Sequence, residues 1–103
     1  MLKELVKEEF TQDIAKGAVL VDFYSSTCSP CKMLAFILKD IEKTLGDQVT
    51  IIKVNFEENP DLIEEHKVEG YPTLVMFKDG EELSRKSGLQ QKPVIIKMIE
   101  EAL

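Results

Sequence analysis

Apolar side chains follow two different spacings along the chain, and these spacings predict strands and helices. Residues 18–24 are an apolar run rich in β-branched side chains and interrupted by Asp22, which is typical of a strand buried on both faces. Residues 31–45 repeat an apolar side chain every three or four positions, as at Leu34 and Leu38, which is typical of an amphipathic helix. The pattern therefore predicts a buried strand that leads into a helix.

The two spacings continue along the chain and predict nine elements in the order β-α-β-α-β-α-β-β-α. Alternating strands and helices favour parallel strands joined by crossover helices, and the last two strands are predicted to form an antiparallel hairpin. We expect an α/β fold of three layers, α/β/α, with a mixed five-stranded sheet flanked by four helices. The further strands are predicted at 2–6, 49–55, 73–77 and 82–86, and the further helices at 7–16, 60–66 and 92–103.

Special residues mark the ends of these elements. Asn59 is predicted to be the N-cap of the third helix, with Pro60 at its first position. Asp79-Gly80 is predicted to form the core of the hairpin turn. The short polar strand after this turn is expected at the edge of the sheet. Met33 and Met98 are predicted to lie in the core.

Length and charge restrict the class of protein. With 103 residues, no internal repeat and no low-complexity linker, we expect one domain over residues 1–103. The net charge of −6 argues against a surface for nucleic acid or for an anionic membrane. No apolar run is long enough to span a bilayer, and the first residues lack the apolar stretch of a signal peptide. We therefore expect a cytoplasmic protein.

The chain has two cysteines, Cys28 and Cys31, and they lie where the buried strand leads into the helix. The free N–H groups and the dipole at a helix N-terminus favour a thiolate, which is the form that attacks disulfides. Because cytosolic thiols are kept reduced, such a pair is more often catalytic or metal-binding than structural. The pair predicts thiol–disulfide chemistry.

Metal binding is the alternative use of these cysteines. Together with His66, the single histidine, they offer three ligands for zinc, whereas a structural zinc site needs four. We therefore expect no metal site, and we expect His66 on a helix surface or half-buried.

Several segments, taken with the order of the elements, resemble the thioredoxin family over nearly the whole chain. A Cys-x-x-Cys pair alone is weak evidence for a family. The pair together with a Gly-x-Pro-Thr segment and a Phe-Lys-x-Gly hairpin, at the places where the family has them, is specific evidence. The matching segments are 19–23, 31–33, 53–55, Gly70-Tyr71-Pro72-Thr73-Leu74, 77–81 and Gly88.

The resemblance implies roles for four residues near the pair. Cys28 would be the attacking thiolate, partly exposed, with a pKa that the family's motif lowers to about 7. Cys31, one helical turn inward, would be buried and would resolve the mixed disulfide. Asp22 would lie behind the cysteines and help deprotonate Cys31, with its own pKa raised toward neutrality by burial. Lys53, on the neighbouring strand, would approach Asp22, although a solvated lysine remains an alternative.

The resemblance also implies a surface for substrates. A cis Tyr71–Pro72 bond would place the backbone of Tyr71 beside Cys28, where it could pair with an extended substrate strand. Gly88 matches a family glycine near the same surface. Pro30 suits the first turn of the helix, where its missing N–H is harmless.

This sequence departs from the usual family pattern around the pair. Thr27 stands where the family usually has tryptophan, and Ser29 replaces the usual glycine between the cysteines. The Ser29 hydroxyl is either a hydrogen-bond donor to the thiolate or a neutral side chain. Phe36 stands where a proline commonly kinks the helix, and Glu69 where a basic residue is common. These positions face partners, so the departures bear on partner choice more than on chemistry.

The resemblance implies a thioredoxin-type protein-disulfide reductase that acts as a monomeric electron carrier in cell redox homeostasis. Its redox centre would be the Cys28–Cys31 disulfide, with no bound cofactor. A thioredoxin reductase or similar enzyme, with NADPH as the expected donor, would recharge it, and disulfide-containing proteins would be its substrates. Two alternatives stay open, namely a disulfide oxidase or isomerase and a thioredoxin-fold binding module with little redox activity.

Overall fold

The computed structural model describes all 103 residues, and it confirms the α/β fold class with a five-stranded sheet and four α-helices. A turn of 3-10 helix at Lys7–Glu9 leads into the first α-helix. The strands are β1 (Leu2–Glu4), β2 (Ala18–Tyr24), β3 (Thr50–Asn55), β4 (Thr73–Lys78) and β5 (Glu81–Ser87). The helices are α1 (Phe10–Ile14), α2 (Ser29–Leu45), α3 (Pro60–Glu65) and α4 (Lys92–Glu100).

The sheet has the strand order β1-β3-β2-β4-β5, with β2 at its centre. Strands β1, β3 and β2 are parallel, while β4 is antiparallel to both β2 and β5. Parallel pairing sets Asp22 of β2 opposite Lys53 of β3, and antiparallel pairing sets Asp22 opposite Leu74 of β4. The central position of β2 explains its continuous apolar run, because a central strand is covered on both faces.

Two apolar clusters cover the two faces of this sheet. On one face, Leu20 and Leu74 pack against side chains of α2 and α4. On the other face, Val21 and Val75 pack against Phe10 of α1 and against residues of α3. Since side chains alternate along a strand, Asp22 points to the same face as Leu20, which is the face that α2 covers. The carboxyl group therefore lies under the helix that begins at the cysteine pair.

Most predicted elements are present with small differences at their ends. Residues 18–24 form β2 with the predicted bounds, and the hairpin turn at Asp79-Gly80 has positive φ at both residues, 49° and 87°. The helix predicted at 7–16 begins as 3-10 helix and is α-helical only at Phe10–Ile14. The polar strand β5 lies at the sheet edge, as predicted. None of the helices combines the length and the apolar character needed to cross a bilayer.

One prediction about an individual side chain was wrong, and the N-cap predicted at Asn59 is confirmed in its position. Met33 was placed in the core, but it is 56% exposed, because a rotation of about 100° per residue turns it away from the face that carries Leu34. Met98 does lie in the core. Asn59 occupies the N-cap position of α3, but its side chain does not cap the helix. Its amide instead donates a hydrogen bond to the carbonyl of Asn55 (2.9 Å).

Candidate functional site

Cys28 and Cys31 lie at the junction of β2 and α2 and are joined by a disulfide, with their Cα atoms 5.2 Å apart. Cys28 is the N-cap residue of α2, and its Sγ accepts a hydrogen bond from the backbone N–H of Cys31 (3.1 Å). Cys28 is 8% exposed and Cys31 3% exposed. The expected partial exposure of Cys28 was therefore wrong for the disulfide form, since the bond turns its Sγ over the helix end toward the buried Cys31.

Asp22 is a carboxyl group buried in the centre of the sheet. It is fully buried, and neither carboxyl oxygen has a hydrogen-bond partner. Burial raises the pKa of Asp22 from 3.8 to about 7, while the charge of Lys53 opposes this rise and the charge of Glu4 adds to it. The predicted burial and the predicted rise in pKa are both confirmed. Near neutral pH this carboxyl group can both release and take up a proton.

Lys53 is held at the same face of the sheet by an aromatic ring. Its Nζ lies 4.5 Å from the centroid of the Tyr24 ring, which is a cation–π distance. The Tyr24 hydroxyl donates a hydrogen bond to the Glu4 carboxylate (2.7 Å), and burial together with this bond raises the pKa of Tyr24 to about 12. Lys53 forms no ion pair with Asp22, so it acts on the carboxyl group through its charge alone.

A small cavity of about 100 Å³ lies beside Tyr24, Lys53 and Cys31. Tyr24, Cys31, Lys32 and Lys53 are among the residues that line it. The cavity is large enough to give water a place beside Cys31. The structure thus sets Asp22 opposite Lys53 in the sheet and places Lys53 and Cys31 at one cavity.

The loop before β4 forms the second part of the site. The Tyr71–Pro72 peptide bond is cis, as expected, with Pro72 buried and Tyr71 45% exposed. The carbonyl of Pro72 accepts a hydrogen bond from the N–H of Gly88 (2.7 Å). Position 88 favours glycine because its φ is +83°, which other residues rarely adopt. The Tyr71 ring packs edge-on against Phe56 at 5.1 Å. These contacts join the Tyr71–Pro72 loop and Gly88 into one surface.

The residues that depart from the family pattern lie on the outside. Thr27, Ser29 and Glu69 are exposed, and Phe36 is 72% exposed. Pro30, which follows the usual pattern, is exposed as well. The Thr27 hydroxyl lies 3.3 Å from that of Ser25, within the loop itself. None of these side chains is positioned by packing in the core.

Comparison with known proteins agrees with this geometry. The family model described as thioredoxin matches residues 1–101. The chain belongs to the thioredoxin family. It is 41% identical over 99 residues to the thioredoxin of Chlamydia trachomatis serovar D, with 96% of each chain covered. It is 37% identical over 101 residues to the thioredoxin of Rickettsia bellii, again with 96% of each chain covered.

A solved structure shows the same fold. A single-site mutant of thioredoxin from Halobacterium salinarum NRC-1 superposes with a TM-score of 0.89 at 30% sequence identity, covering 98% of this chain and 88% of that one. Membership of the thioredoxin family and the Cys28–Cys31 pair make this protein a thiol–disulfide oxidoreductase that reduces protein disulfides. Its redox group is the cysteine pair itself, since thioredoxins work without a bound cofactor.

The single histidine lies in the apolar layer on one face of the sheet. The ring of His66 lies among Phe10, Phe23 and Phe77, with centroid distances of 5.8, 6.3 and 5.8 Å. Its side chain is 14% exposed, in agreement with the half-buried position predicted. No group of three or more histidine, cysteine or acidic side chains is arranged to hold a metal ion. His66 is part of the apolar layer on the α1 and α3 side of the sheet.

Sequence analysis missed two residues of this site, Tyr24 and Glu4. Tyr24 follows Asp22 by two positions in the same strand, so it shares a face with the carboxyl group. That spacing was a usable signal. Glu4 offered no such signal, because its contact depends on the position of β1 beside β3, which no local pattern reveals.

Proposed function

We propose that the Cys28-Ser29-Pro30-Cys31 segment is the redox centre and that its two cysteines have different tasks. The Cys28 thiolate attacks one sulfur of a substrate disulfide, forms a mixed disulfide and releases the first substrate thiolate. The position of Cys28 supports this role, because the N–H of Cys31 already points at its Sγ (3.1 Å) at the N-terminus of a helix. This N–H would stabilise the thiolate in the reduced protein.

Cys31 completes the reaction. Its thiol loses a proton, the resulting thiolate attacks the Cys28 sulfur, and the second substrate thiolate leaves. The products are the Cys28–Cys31 disulfide and a reduced substrate, so two electrons pass to the substrate. The burial of Cys31 supports this order, because a buried thiol stays protonated until a base reaches it.

Asp22 is the base that we propose for this second step. Its buried carboxyl group without a hydrogen-bond partner, under the helix that carries Cys31, is the observation that carries the proposal. With a pKa of about 7 it can take the Cys31 proton near neutral pH. Lys53 adjusts the pKa of Asp22 by its charge, and the cavity beside Cys31 and Lys53 would bring water close to the reacting thiol.

We propose that the substrate binds on the outer side of the disulfide. The backbone of Tyr71 would pair with an extended substrate segment, and Pro72 and Gly88, which are joined by a hydrogen bond, would hold that backbone in place. Thr27, Ser29 and Pro30 would border the segment. The exposure of Tyr71 and of these three residues supports this role.

Membership of the family supports further proposals about partners, location and domain organisation. A thioredoxin reductase or similar enzyme recharges the disulfide with electrons from NADPH, and disulfide-containing proteins are the substrates. The protein carries electrons as a monomer in the cytoplasm, and it binds neither nucleic acid nor membranes. Residues 1–103 form a single thioredoxin domain, which the packing of both apolar clusters on one sheet supports.

Insulin reduction tests the proposed function. With dithiothreitol as reductant, the protein should accelerate insulin precipitation, and Cys28→Ser should reduce the rate to the level without protein. Ser26→Ala, in the same exposed loop, is the matched control and should retain activity. Cys31→Ser should accumulate mixed disulfides with substrate. No acceleration by the wild type would refute the reductase, and no trapped adducts would refute the division of tasks.

The reduction potential separates this function from that of an oxidase. A reductase of this family should have a reduction potential of about −270 mV, measured against a glutathione or dithiothreitol buffer. A value far less negative would favour an oxidase or isomerase instead.

A further inference from the structure

The outward face of helix α2 carries an unusual row of side chains. Positions 32, 36, 39 and 43 are spaced by four, three and four residues, so they line up on the side of the helix opposite the core positions. All four are exposed. We call this row the lysine–phenylalanine stripe; it consists of Lys32, Phe36, Lys39 and Lys43.

The stripe is positive on a protein that is negative as a whole. None of its lysines belongs to an ion pair, and no acidic residue lies within the row. The nearby carboxylates of α2 are engaged elsewhere, Asp40 with Lys92 (2.5 Å) and Glu42 with the N-terminal amine (3.1 Å). Three positive charges without an ion-pair partner therefore stand together, with Asp40 close enough to Lys43 that the lysine charge helps to lower its pKa. The protein as a whole carries a net charge of −6.

Phe36 distinguishes the stripe from an ordinary solvated helix face. It is 72% exposed, and the Nζ of Lys39 lies 6.0 Å from the centroid of its ring. A large exposed aromatic side chain among cations resembles the anchors of protein interfaces more than a surface built for solubility. Met33, 56% exposed, continues the apolar surface toward Ser29 beside the disulfide. The stripe is thus continuous with the outer side of the redox site.

We propose that the lysine–phenylalanine stripe docks an acidic segment that flanks the disulfide of a protein substrate, with one apolar side chain of that segment against Phe36. The proposal rests on the proposed function, because the substrate disulfide must be at Cys28. Opposite charge selects the segment and increases its rate of encounter, while Phe36 supplies the apolar contact. The stripe therefore selects among substrates without taking part in the sulfur chemistry.

The helix geometry gives the spacing that such a segment needs. Phe36 follows Cys28 by eight residues, or about 12 Å along the helix axis, and Lys43 follows it by fifteen, or about 22 Å. An extended chain covers about 3.3 Å per residue. The apolar side chain should therefore stand about four residues from the substrate cysteine, with acidic residues out to about seven.

Synthetic disulfide peptides test this geometry. Each peptide carries one intramolecular disulfide and a tail with leucine at the fourth position from the cysteine. Two peptides form a pair: the other tail positions are glutamate in one and glutamine in the other. Each pair is made with the tail on either side of the cysteines. For one tail direction, the wild type should reduce the glutamate peptide with a kcat/KM about tenfold higher than the glutamine peptide at low salt. This advantage should mostly disappear in 0.5 M salt, where the Debye length falls to roughly 4 Å.

Charge reversal on and off the stripe supplies the control. Lys39→Glu combined with Lys43→Glu should remove the preference for the glutamate peptide. Lys16→Glu combined with Lys86→Glu changes the net charge equally at exposed positions outside α2 and should keep it. Phe36→Ala should lower kcat/KM for the glutamate peptide several-fold in high salt, where only the apolar contact remains.

The outcomes separate this proposal from the proposed function. If the glutamine peptides are reduced but neither glutamate peptide is preferred, the docking proposal is wrong and the reductase stands. If the wild type reduces no peptide, both fall. An equal loss of preference in the Lys16→Glu/Lys86→Glu variant would show a general charge effect and overturn the docking site. Stripe-dependent binding of single-stranded DNA, or a dimer lost in Phe36→Ala, would assign the stripe to a different partner and overturn it too.

Discussion

The two sides of the Cys28–Cys31 disulfide are built in opposite ways. On the inner side, Asp22 is fully buried and its pKa is raised to about 7. On the outer side, Thr27 and Ser29 are exposed and no core packing holds their side chains. The inner side holds a carboxyl group in a buried environment, whereas the outer side offers a surface that partners can reach.

This difference indicates which substitutions should have large effects and which should have small ones. The departures from the usual family pattern, at Thr27, Ser29, Phe36 and Glu69, all lie at exposed positions. A buried carboxyl group affects both stability and chemistry, because its charged form is costly wherever it is not compensated. An exposed side chain affects mainly what binds to it. We therefore expect large effects on stability and rate from inner substitutions and small ones from outer substitutions.

The largest expected effect is on stability. The pKa of Asp22 is about 7 in the folded protein and 3.8 in the unfolded chain, so the folded state holds the proton more tightly. Stability from this group is present below pH 4 and is lost as the pH rises toward 7, up to about 4 kcal/mol across the window. Asp22→Asn should remove this loss, so the variant should gain stability relative to wild type as the pH rises.

Urea unfolding of the disulfide form at pH 4.5 and at pH 8 measures this effect. The difference in unfolding free energy between Asp22→Asn and wild type isolates the contribution of the Asp22 carboxyl group. The other carboxyl groups with shifted pKa values titrate alike in both proteins and cancel; they are Asp40, Asp61 and Glu82, and their pKa values are lowered. A difference that stays constant with pH would contradict the raised pKa.

The second expected effect is on the resolving step. Asp22→Asn should slow the attack of Cys31 on a Cys28 mixed disulfide about a hundredfold at pH 7, since a positioned base typically contributes that much or more. The effect should shrink as the pH rises, because hydroxide then removes the Cys31 proton. Release of thionitrobenzoate from a Cys28 adduct, followed by rapid mixing, gives this rate.

The control for this step is alkylation of Cys28 by iodoacetamide in the reduced protein. It reports on the attacking thiol alone and should change far less than the resolving step. Equal slowing of both reactions would mean that Asp22 supports the whole site instead of the Cys31 proton transfer.

The third effect tests the charges around Asp22. Lys53→Met should raise the pKa of Asp22 further, because the lysine charge favours the carboxylate, and Glu4→Gln should lower it, because the glutamate charge disfavours it. At pH 7 the first change should slow resolution by less than tenfold. NMR titration of the Asp22 carboxyl group would measure both shifts. Shifts of the same sign would rule out a direct electrostatic effect.

Local patterns predicted the fold and the burial of Asp22 well, because both follow from the spacing of apolar side chains. The apolar run 18–24 predicted both ends of β2 correctly. The carboxyl group inside that run indicated that Asp22 has a shifted pKa. Burial of Cys28 in the disulfide form was not predicted, because it depends on how the bond turns the sulfur. The Tyr24–Glu4 contact was also beyond reach, since it requires the order of β1, β3 and β2 in the sheet.

Surface positions were harder, because apolar residues are not confined to the core. Met33 has an apolar side chain in an amphipathic helix, and only its rotation about the helix axis shows that it faces solvent. The same rotation places Phe36 outside. Spacing along α2 could have revealed both, had each position been assigned to a helix face before its hydrophobicity was considered.

The smallest effect is expected at Glu69, an exposed outer residue that stands where the family commonly has a basic one. It lines an open pocket of about 480 Å³ with Phe56, the residue that packs against Tyr71. Glu69→Lys should change the unfolding free energy by less than about 0.5 kcal/mol, as is usual for exposed substitutions. Reduction of a small-molecule disulfide should stay within twofold of wild type.

Protein partners should respond to the same change. Since Glu69 borders the proposed substrate surface, its charge reversal should alter kcat/KM for insulin several-fold, and salt should reduce the difference. The ratio of the activity on insulin to the activity on the small disulfide, measured at two salt concentrations, therefore separates the effect on substrate binding from the effect on the sulfur chemistry. If Glu69→Lys instead changed both activities equally, the outer side would influence the reacting sulfurs themselves, and the separation between the two sides of the disulfide would not hold.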